Sequence, residues 1–403
     1  MSKRITGMQT SRNRTRAEAP SFTRRRPPLA LAALTAIATG GCSSAPTSGL
    51  SSEEAPLYAW GGSVDAAQSS SGSSSSGVGS ADSGSNSATG SGSTSGPSSR
   101  ITTTNPIGLA VTETTIYWET GVGSLMSAPV AGSPVSTLFA APPDAGAAMA
   151  DSELNDLFIN STSAYFAVNA GTSNYVQTVL LDGTGASTLD VSTDISDEVR
   201  VIALGSSALY VARFNTDEQG GQCPDTGIDG VPLSEGPTAT LMEGVCFLVR
   251  ATVDSSQNLY WTDRGHPPGT VNPSVMTQSA SATAPTTIAS AVNPHGIAAY
   301  GGKLYWSDSG NIMVLTIGES TNASVLASSA SPQDIVVDSS GVYWIDSGSA
   351  VMMAPLAGGA VTTIAQGQAN VVALATNSTG VFWVNEGTPA NNYADGAVMR
   401  VAK

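Results

Sequence analysis

The chain has 403 residues, with 16 lysines and arginines against 31 aspartates and glutamates and a formal net charge of −15. Eight of the basic residues but only one acidic residue, Glu18, precede Cys42, which leaves 8 basic against 30 acidic residues and a net charge of −22 after it. A surface this acidic repels phosphate backbones, so nucleic acid is excluded as an expected partner.

Residues 1–42 have the composition of an export signal. A basic opening is followed by the apolar stretch LALAALTAIA and then by the small residues GGCSS. The apolar stretch is too short to span a bilayer. The residues before Cys42 resemble the lipobox of bacterial lipoproteins, which implies that Cys42 is lipidated and is the only membrane contact. We therefore expect an exported chain, an outer-membrane lipoprotein of a Gram-negative bacterium that is periplasmic or surface-exposed, with a plain secretory signal as the alternative.

Residues 43–99 are predicted to form a disordered tether. From about Gly61 onward they are nearly all serine and glycine, a composition that cannot bury a core. Random-coil scaling gives roughly forty such residues an end-to-end distance of about 35 Å. The predicted role is to hold a folded head, residues 100–403, clear of the membrane surface.

A repeat of about forty residues fills the rest of the chain. Each copy has an aromatic residue or an aromatic pair inside an apolar run, as in IYWET, LYWSD and VYWID, at steps of 48, 45, 50, 45, 38 and 39 residues. This period is typical of the four-stranded blades of a propeller. The repeated aromatics are Tyr117, Trp118, Tyr165, Phe166, Tyr210, Tyr260, Trp261, Tyr305, Trp306, Tyr343, Trp344, Phe382 and Trp383.

The sixth copy shows the expected plan of one blade. Its segments PQDIVVD, VYWID, AVMMA and VTTIA are four strands separated by turn residues. Continuous apolar runs indicate strands covered on both faces, and each aromatic ring would bury about 150–250 Å² between blades. The prediction is an all-β, seven-bladed propeller with four antiparallel strands per blade, or a six-bladed one as the alternative.

The last copy, from VVALATNSTG to Lys403, has only three strands. The segment RITTTNP, Arg100–Pro106, precedes the first copy and is similar to the outer strand of the sixth. If it supplies the missing strand, the ring closes with both ends of the head in one sheet and no free edge.

At LYWTD and its variants the chain resembles the YWTD propellers of receptor ectodomains, and more loosely NHL-type and virginiamycin B lyase-like propellers. The resemblance covers residues 100–403, and Tyr260–Asp263 match YWTD in full. In those families the motif residues hold blades together. The resemblance therefore implies a fold and no particular activity.

The third copy carries the longest interruption, Phe214–Cys246. Its two cysteines, Cys223 and Cys246, are predicted to form a disulfide, because an exported chain with two cysteines around an irregular loop most simply pairs them. Its carboxylates could bind calcium, the one cofactor considered, although an acidic solvated loop is the alternative. The calcium candidates are Asp217, Glu218, Asp225 and Asp229.

The chain has two histidines, and both are expected on one face of the propeller. His266 lies in the loop DRGHPPG, and His295 lies in NPHGIA at the start of the fifth blade. Together with Arg264 and Asp308 they form the candidate acid–base cluster. Virginiamycin B lyase-like propellers also have PHGI segments, which His295 matches. The alternative is that both histidines are turn or surface residues.

The pattern favours a non-enzymatic function. We expect an envelope-anchored, monomeric propeller head that binds a protein or a glycan through the loops of blades three to five. The alternatives are a lyase or hydrolase acting at the mouth of the central channel, and an envelope assembly scaffold. Convergence of the histidines and a carboxylate on one pocket would favour the enzyme. Stable partners, in place of ligands that exchange, would favour the scaffold.

Overall fold

The computed structural model describes residues 99–141, 157–170, 173–189, 197–215, 227–234, 236–245, 247–265, 272–279, 282, 284–319 and 323–403. These residues form 28 strands in seven four-stranded antiparallel sheets. The seven-bladed prediction is confirmed, and the six-bladed alternative is wrong. The described residues include no helix long and apolar enough to cross a membrane.

The first three blades follow the chain in order after β1 (Ser99–Thr102). Blade 1 contains β2 (Pro106–Val111), β3 (Thr115–Thr120), β4 (Leu125–Pro129) and β5 (Ser136–Phe139). Blade 2 contains β6 (Phe158–Ile159), β7 (Ser163–Ala170), β8 (Ser173–Leu180) and β9 (Ser187–Leu189). Blade 3 contains β10 (Asp197–Leu204), β11 (Ala208–Asn215), β12 (Gly227–Pro232) and β13 (Ala239–Glu243).

The next three blades repeat this plan. Blade 4 contains β14 (Leu248–Val253), β15 (Leu259–Asp263), β16 (Ser274–Gln278) and β17 (Thr286–Ser290). Blade 5 contains β18 (Pro294–Tyr300), β19 (Lys303–Asp308), β20 (Asn311–Thr316) and β21 (Ser324–Ser328). Blade 6 contains β22 (Pro332–Asp338), β23 (Gly341–Asp346), β24 (Ala350–Ala354) and β25 (Thr362–Gln366).

Blade 7 is built from both ends of the head. It contains β26 (Val371–Asn377), β27 (Gly380–Asn385) and β28 (Ala397–Ala402), and the strand next to β28 is β1. The two strands pair antiparallel, with Ile101 opposite Val398. The first strands of neighbouring blades contact one another around the whole ring, β26 and β2 included. The innermost strands therefore enclose a central channel.

The aromatic pairs are wedges between blades. Successive residues of a strand point to opposite faces of its sheet, so the two members of a pair face two different neighbours. Tyr260 of blade 4 packs in one cluster with Trp306 of blade 5, whereas Trp261 packs in another with Tyr210 of blade 3. The described residues form seven such clusters, each shared by two adjacent blades.

The tryptophan indoles also tie down the connections between blades. In blades 1, 6 and 7 the Nε1 of the tryptophan donates to a side chain fifteen residues earlier, in the connection that enters the blade. The three bonds are Trp118 to Thr103 at 3.1 Å, Trp344 to Ser329 at 2.8 Å and Trp383 to Gln368 at 3.0 Å. This contact fixes each connection against the blade that follows it.

The interruption predicted between Phe214 and Cys246 is more regular than the sequence indicated. It contains β12 and β13, the third and fourth strands of blade 3. Their mixed composition, with glycines and an aspartate inside GIDGVP, conceals the apolar runs seen in other blades. The cysteine pair lies outside the described residues.

Candidate functional site

The antiparallel order of each blade determines which connections share a face. The loop between the second and third strands opens on the same side as the connection into the next blade. We call this side of blades 4 and 5 the loop face, represented by Phe247, Arg264, Val292, Asn293 and His295. Phe247 precedes β14, Arg264 follows β15, and the other three lie at or before the start of β18.

The structure brings two of the predicted site residues together. Nη2 of Arg264 lies 2.6 Å from Nδ1 and 3.1 Å from Nε2 of His295, and both side chains are half-buried. The amide of Asn293 lies 3.2 Å from His295 Nε2. Because an arginine N–H can only donate, the ring nitrogen that accepts from Arg264 carries no proton. The guanidinium therefore holds the imidazole in place as a neutral acceptor.

Hydroxyl groups that follow the tryptophans position this part of the channel mouth. Thr262, the third letter of YWTD, donates to the carbonyl oxygen of His295 at 2.5 Å. Ser307 in LYWSD donates in the same way to the carbonyl oxygen of Gln333 and accepts from the Gly296 N–H at 3.0 Å. The motif thus joins the second strand of one blade to the first strand of the next, and it orients the residues at the channel mouth.

A cavity of about 120 Å³ lies where blades 4 to 7 meet the channel. It is smaller than the ~300–1,000 Å³ typical of sites for drug-sized ligands. The polar residues and glycine that line it are Arg250, His295, Gly296, Gln333, Asp334 and Asn370. A water molecule or a group of a few atoms fits this cavity better than a whole sugar or nucleotide.

A charged pair crosses this cavity from blade 4 to blade 6. Nε of Arg250 lies 3.8 Å from Oδ1 of Asp334, and the two side chains are only 7% and 5% exposed. Oδ1 also accepts from the Ile335 N–H at 2.8 Å, whereas Oδ2 has no hydrogen-bond partner among the described residues. Burial raises the pKa of Asp334 to about 7, and the Arg250 charge and the Ile335 N–H counteract only part of this rise.

Gly296 allows blade 5 to approach the backbone of blade 6 closely. A Cβ at this position would lie 2.7 Å from the Ile335 nitrogen and 2.8 Å from the Gln333 oxygen. Blade 5 therefore approaches the backbone on either side of Asp334 closely enough that only glycine fits.

Two exposed apolar residues belong to the loop face. Phe247 is 49% exposed and Val292 is 73% exposed. The carbonyl oxygen of Phe247 accepts from the Arg264 N–H at 3.1 Å, and Arg264 in turn contacts His295, three residues beyond Val292. Phe247 also has a φ of 59°, a left-handed conformation that bulky residues rarely adopt. The loop face therefore carries two exposed apolar residues, one bonded through its backbone to Arg264 and one three residues before His295.

Asp308 has a different environment from the rest of the predicted cluster. Both of its oxygens accept from the N–H of Val292 at 3.1 Å, and one accepts from the N–H of Asn293 at 2.7 Å. Asp346, the same position of the next blade, accepts from the Ser331 N–H at 2.7 Å. In blades 5 and 6 the aspartate that ends the motif therefore holds the connection that enters its own blade, whereas Asp263 in blade 4 accepts from the Gly265 N–H that follows its strand.

Asp229, one of the calcium candidates, lies in β12 and is buried. Its Oδ2 is 2.7 Å from Nε of Arg213, which also contacts Glu243 at 3.1 Å. In the described part of the chain no group of three or more histidine, cysteine, aspartate or glutamate side chains could hold a metal ion. Several predicted site residues lie outside the described residues: Cys42, Asp217, Glu218, Cys223, Asp225, Cys246 and His266.

Arg250 and Asp334 were missed by the sequence analysis. The available signal was a charge inside an otherwise apolar innermost strand, in LVRATV and in PQDIVVD. Buried charges are rare unless they are paired or functional, so these two positions could have been marked for attention. That they meet each other follows only from the closure of the ring.

No protein-family model and no curated protein matches the sequence. Several solved structures are similar in fold. YCF48 bound to a D1 peptide has a TM-score of 0.54 and 13% identity, covering 76% of this chain and 97% of that one. YCF48 from Cyanidioschyzon merolae has a TM-score of 0.50 and 11% identity, covering 74% and 96%. A nidogen/laminin complex has a TM-score of 0.42 and 17% identity, covering 60% and 89%. At these identities the similarity shows the propeller fold alone.

Proposed function

We propose that the chain is an exported, envelope-anchored propeller that binds a protein partner through the loop face. The observation that carries this proposal is the surface formed by Phe247, Val292 and Arg264. Aromatic residues and arginine are enriched at protein interfaces. The left-handed Phe247 supports the same conclusion, because a strained residue that exposes its ring is more often functional than structural.

A protein partner suits this surface better than a catalytic role. The carboxylate of Asp308 is occupied by backbone amides, and the cavity at the channel mouth is small. Among structures of similar fold, YCF48 was solved bound to a D1 peptide, so a propeller of comparable size can bind a polypeptide. The proposal places the contact on the loop face of blades 4 and 5 and leaves the rest of the ring as a rigid support.

The partner test compares apolar residues of the loop face with an apolar residue on the outer strand of blade 5. The double variant Phe247→Ser/Val292→Ser removes apolar area from the loop face. The control Val325→Ser removes a 56%-exposed valine from the outer strand β21. In a quantitative pull-down from envelope extract, the wild type and the control should capture one specific protein. The double variant should capture at least about tenfold less of it, as expected for interface anchors worth over ~1 kcal/mol each. Equal loss with Val325→Ser would contradict the proposal.

The anchor forms a separate part of the proposal. Residues 1–42 would direct export, a lipid on Cys42 would hold the mature chain at the membrane, and the residues up to the propeller would act as a tether. Metabolic labelling with palmitate should mark the wild type and not Cys42→Ala. Equal labelling of both would exclude a lipid on Cys42 and leave a plain secretory signal. The disulfide between Cys223 and Cys246 predicts no reactive thiol in the native mature head.

A further inference from the structure

The cavity at the channel mouth has the composition of an anion site. Its side chains include the Arg250 guanidinium, with His295 at its edge, and His295 is contacted from outside by the second guanidinium of Arg264. After Cys42 the chain has only eight lysines and arginines, and of these Arg250 lines the cavity while Arg264 contacts the His295 side chain that also lines it. A cationic pocket in an otherwise acidic protein attracts small anions locally while the surface repels polyanions.

The Asp334 carboxyl favours ligands that complete its hydrogen bonding. Asp334 lines the cavity, and its Oδ2 is buried and has no hydrogen-bond partner among the described residues. A buried polar atom without a partner is costly, so a ligand atom that completes its hydrogen bond would be favoured. A protonated carboxyl can donate from this oxygen to an anionic acceptor, whereas an ionised one would repel it.

We propose that the channel mouth binds a carboxylate group, which accepts from the Arg250 guanidinium through one oxygen and from the Asp334 carboxyl through the other. The small cavity suits a planar group of three heavy atoms. A guanidinium and a carboxylate are matched in shape and charge. The source of the group is either a small free carboxylate or an acidic residue of the protein partner. The site itself does not depend on the function proposed above.

Binding of this kind takes up a proton from solvent whenever Asp334 is ionised beforehand. The groups that line the cavity with Asp334 are Arg250 from β14 and His295 from β18. At another wall of the cavity, the Asn370 amide donates a hydrogen bond to Glu386. Of these, Glu386 is itself a buried carboxyl whose pKa is raised by burial. A one-proton uptake weakens binding by up to tenfold for each pH unit above the pKa of Asp334.

The test is a titration of the full mature chain with ¹³C-labelled sodium acetate, observed by NMR at pH 6, 7, 8 and 9 and constant ionic strength. For the wild type we expect a dissociation constant that is nearly flat below pH 7 and rises about tenfold per unit above pH 8. Asp334→Asn places an N–H donor where the acid had its O–H. It should bind acetate with an affinity that no longer depends on pH in this range.

Two further variants complete the design. Arg250→Gln/Asp334→Asn removes both charges without leaving either unpaired, and it should lose acetate binding at every pH. Lys303→Gln removes a cation from the opposite end of blade 5, at the start of β19, and should bind as the wild type does. Circular dichroism of each variant shows whether it has folded.

The outcomes distinguish the two sources of the carboxylate, and they distinguish a failure of this inference from a failure of the proposed function. If acetate binds and partner capture also falls with Arg250→Gln/Asp334→Asn, the carboxylate belongs to the partner. If acetate binds and capture is unchanged, the ligand is a free small carboxylate. No acetate binding by the wild type at 100 mM, or a response to calcium chloride in place of acetate, would overturn the inference. The outcome of the Phe247→Ser/Val292→Ser test would be unaffected.

Discussion

Replacing Ala291 with serine should stabilise the propeller. The indole of Trp306 is fully buried, and its Nε1 has no hydrogen-bond partner among the described residues. In blades 1, 6 and 7 the corresponding indole donates to a side chain fifteen residues earlier, as Trp344 does to Ser329 at 2.8 Å. Ala291 occupies that position relative to Trp306 and has no side-chain acceptor. A serine hydroxyl there would supply the missing bond.

The expected gain in the free energy of unfolding has two contributions. A net intramolecular hydrogen bond contributes about 0.5–1.5 kcal/mol, and a buried donor without a partner costs about 1–3 kcal/mol. After the loss of hydroxyl rotamer freedom, Ala291→Ser should raise the free energy of unfolding by about 1–2 kcal/mol. The matched variant Ser329→Ala should lower it by about 1–3 kcal/mol, because it leaves the Trp344 indole unpaired.

Urea unfolding followed by tryptophan fluorescence measures both changes, and a thermal melt should show shifts of about 2–4 °C per kcal/mol. Ala330→Ser adds a hydroxyl to an exposed position beside Ser329 and should leave the stability unchanged. If Ala291→Ser is no more stable than the wild type and Ser329→Ala is equally stable, the indole bonds do not hold the blade connections and the reasoning fails.

Three other predictions concern the ring. Gly296→Ala should lower the free energy of unfolding by about 1–3 kcal/mol in a urea titration, because its Cβ would meet Ile335 and Gln333 backbone atoms at 2.7–2.8 Å. The raised pKa of Asp334 means that its contribution to stability is fully present below about pH 4 and is lost as the pH rises through about 7. The free energy of unfolding of the wild type minus that of Asp334→Asn should therefore fall as the pH rises, by at most about 4 kcal/mol. A difference that does not change with pH would contradict this. Deleting residues up to 102 removes β1 and should lower the melting temperature, whereas deleting 43–98 should not.

The fold was predictable because one local pattern has a global consequence. The strand period places Tyr260 and Trp261 on opposite faces of a blade, so each aromatic pair must be covered by two different neighbours. A pattern that demands two neighbours at every copy leads to a closed ring. Even blade 3, where Val211 follows Tyr210 in place of a second aromatic, keeps the same arrangement with a smaller side chain.

The site was predictable only in part. The sequence grouped His266, His295, Arg264 and Asp308 in one cluster, of which Arg264 and His295 are in contact and His266 lies outside the described residues. Arg250 and Asp334 are 84 residues apart and on blades that are not neighbours, so no local pattern links them. The role of Asp308 depends on backbone amides in the connection before β18, and a side-chain pattern contains no information about where those amides point.

The central claim, that the loop face of blades 4 and 5 binds a protein, is tested most directly by site-specific photocrosslinking in the producing cell. The photoreactive residue p-benzoylphenylalanine would replace Val292 in one variant and Val325 in another, two exposed valines of one blade region on different surfaces. The account predicts one discrete crosslinked protein from position 292 and none from position 325. Crosslinks from position 325 alone, or from neither position while the wild type still captures its partner, would contradict it.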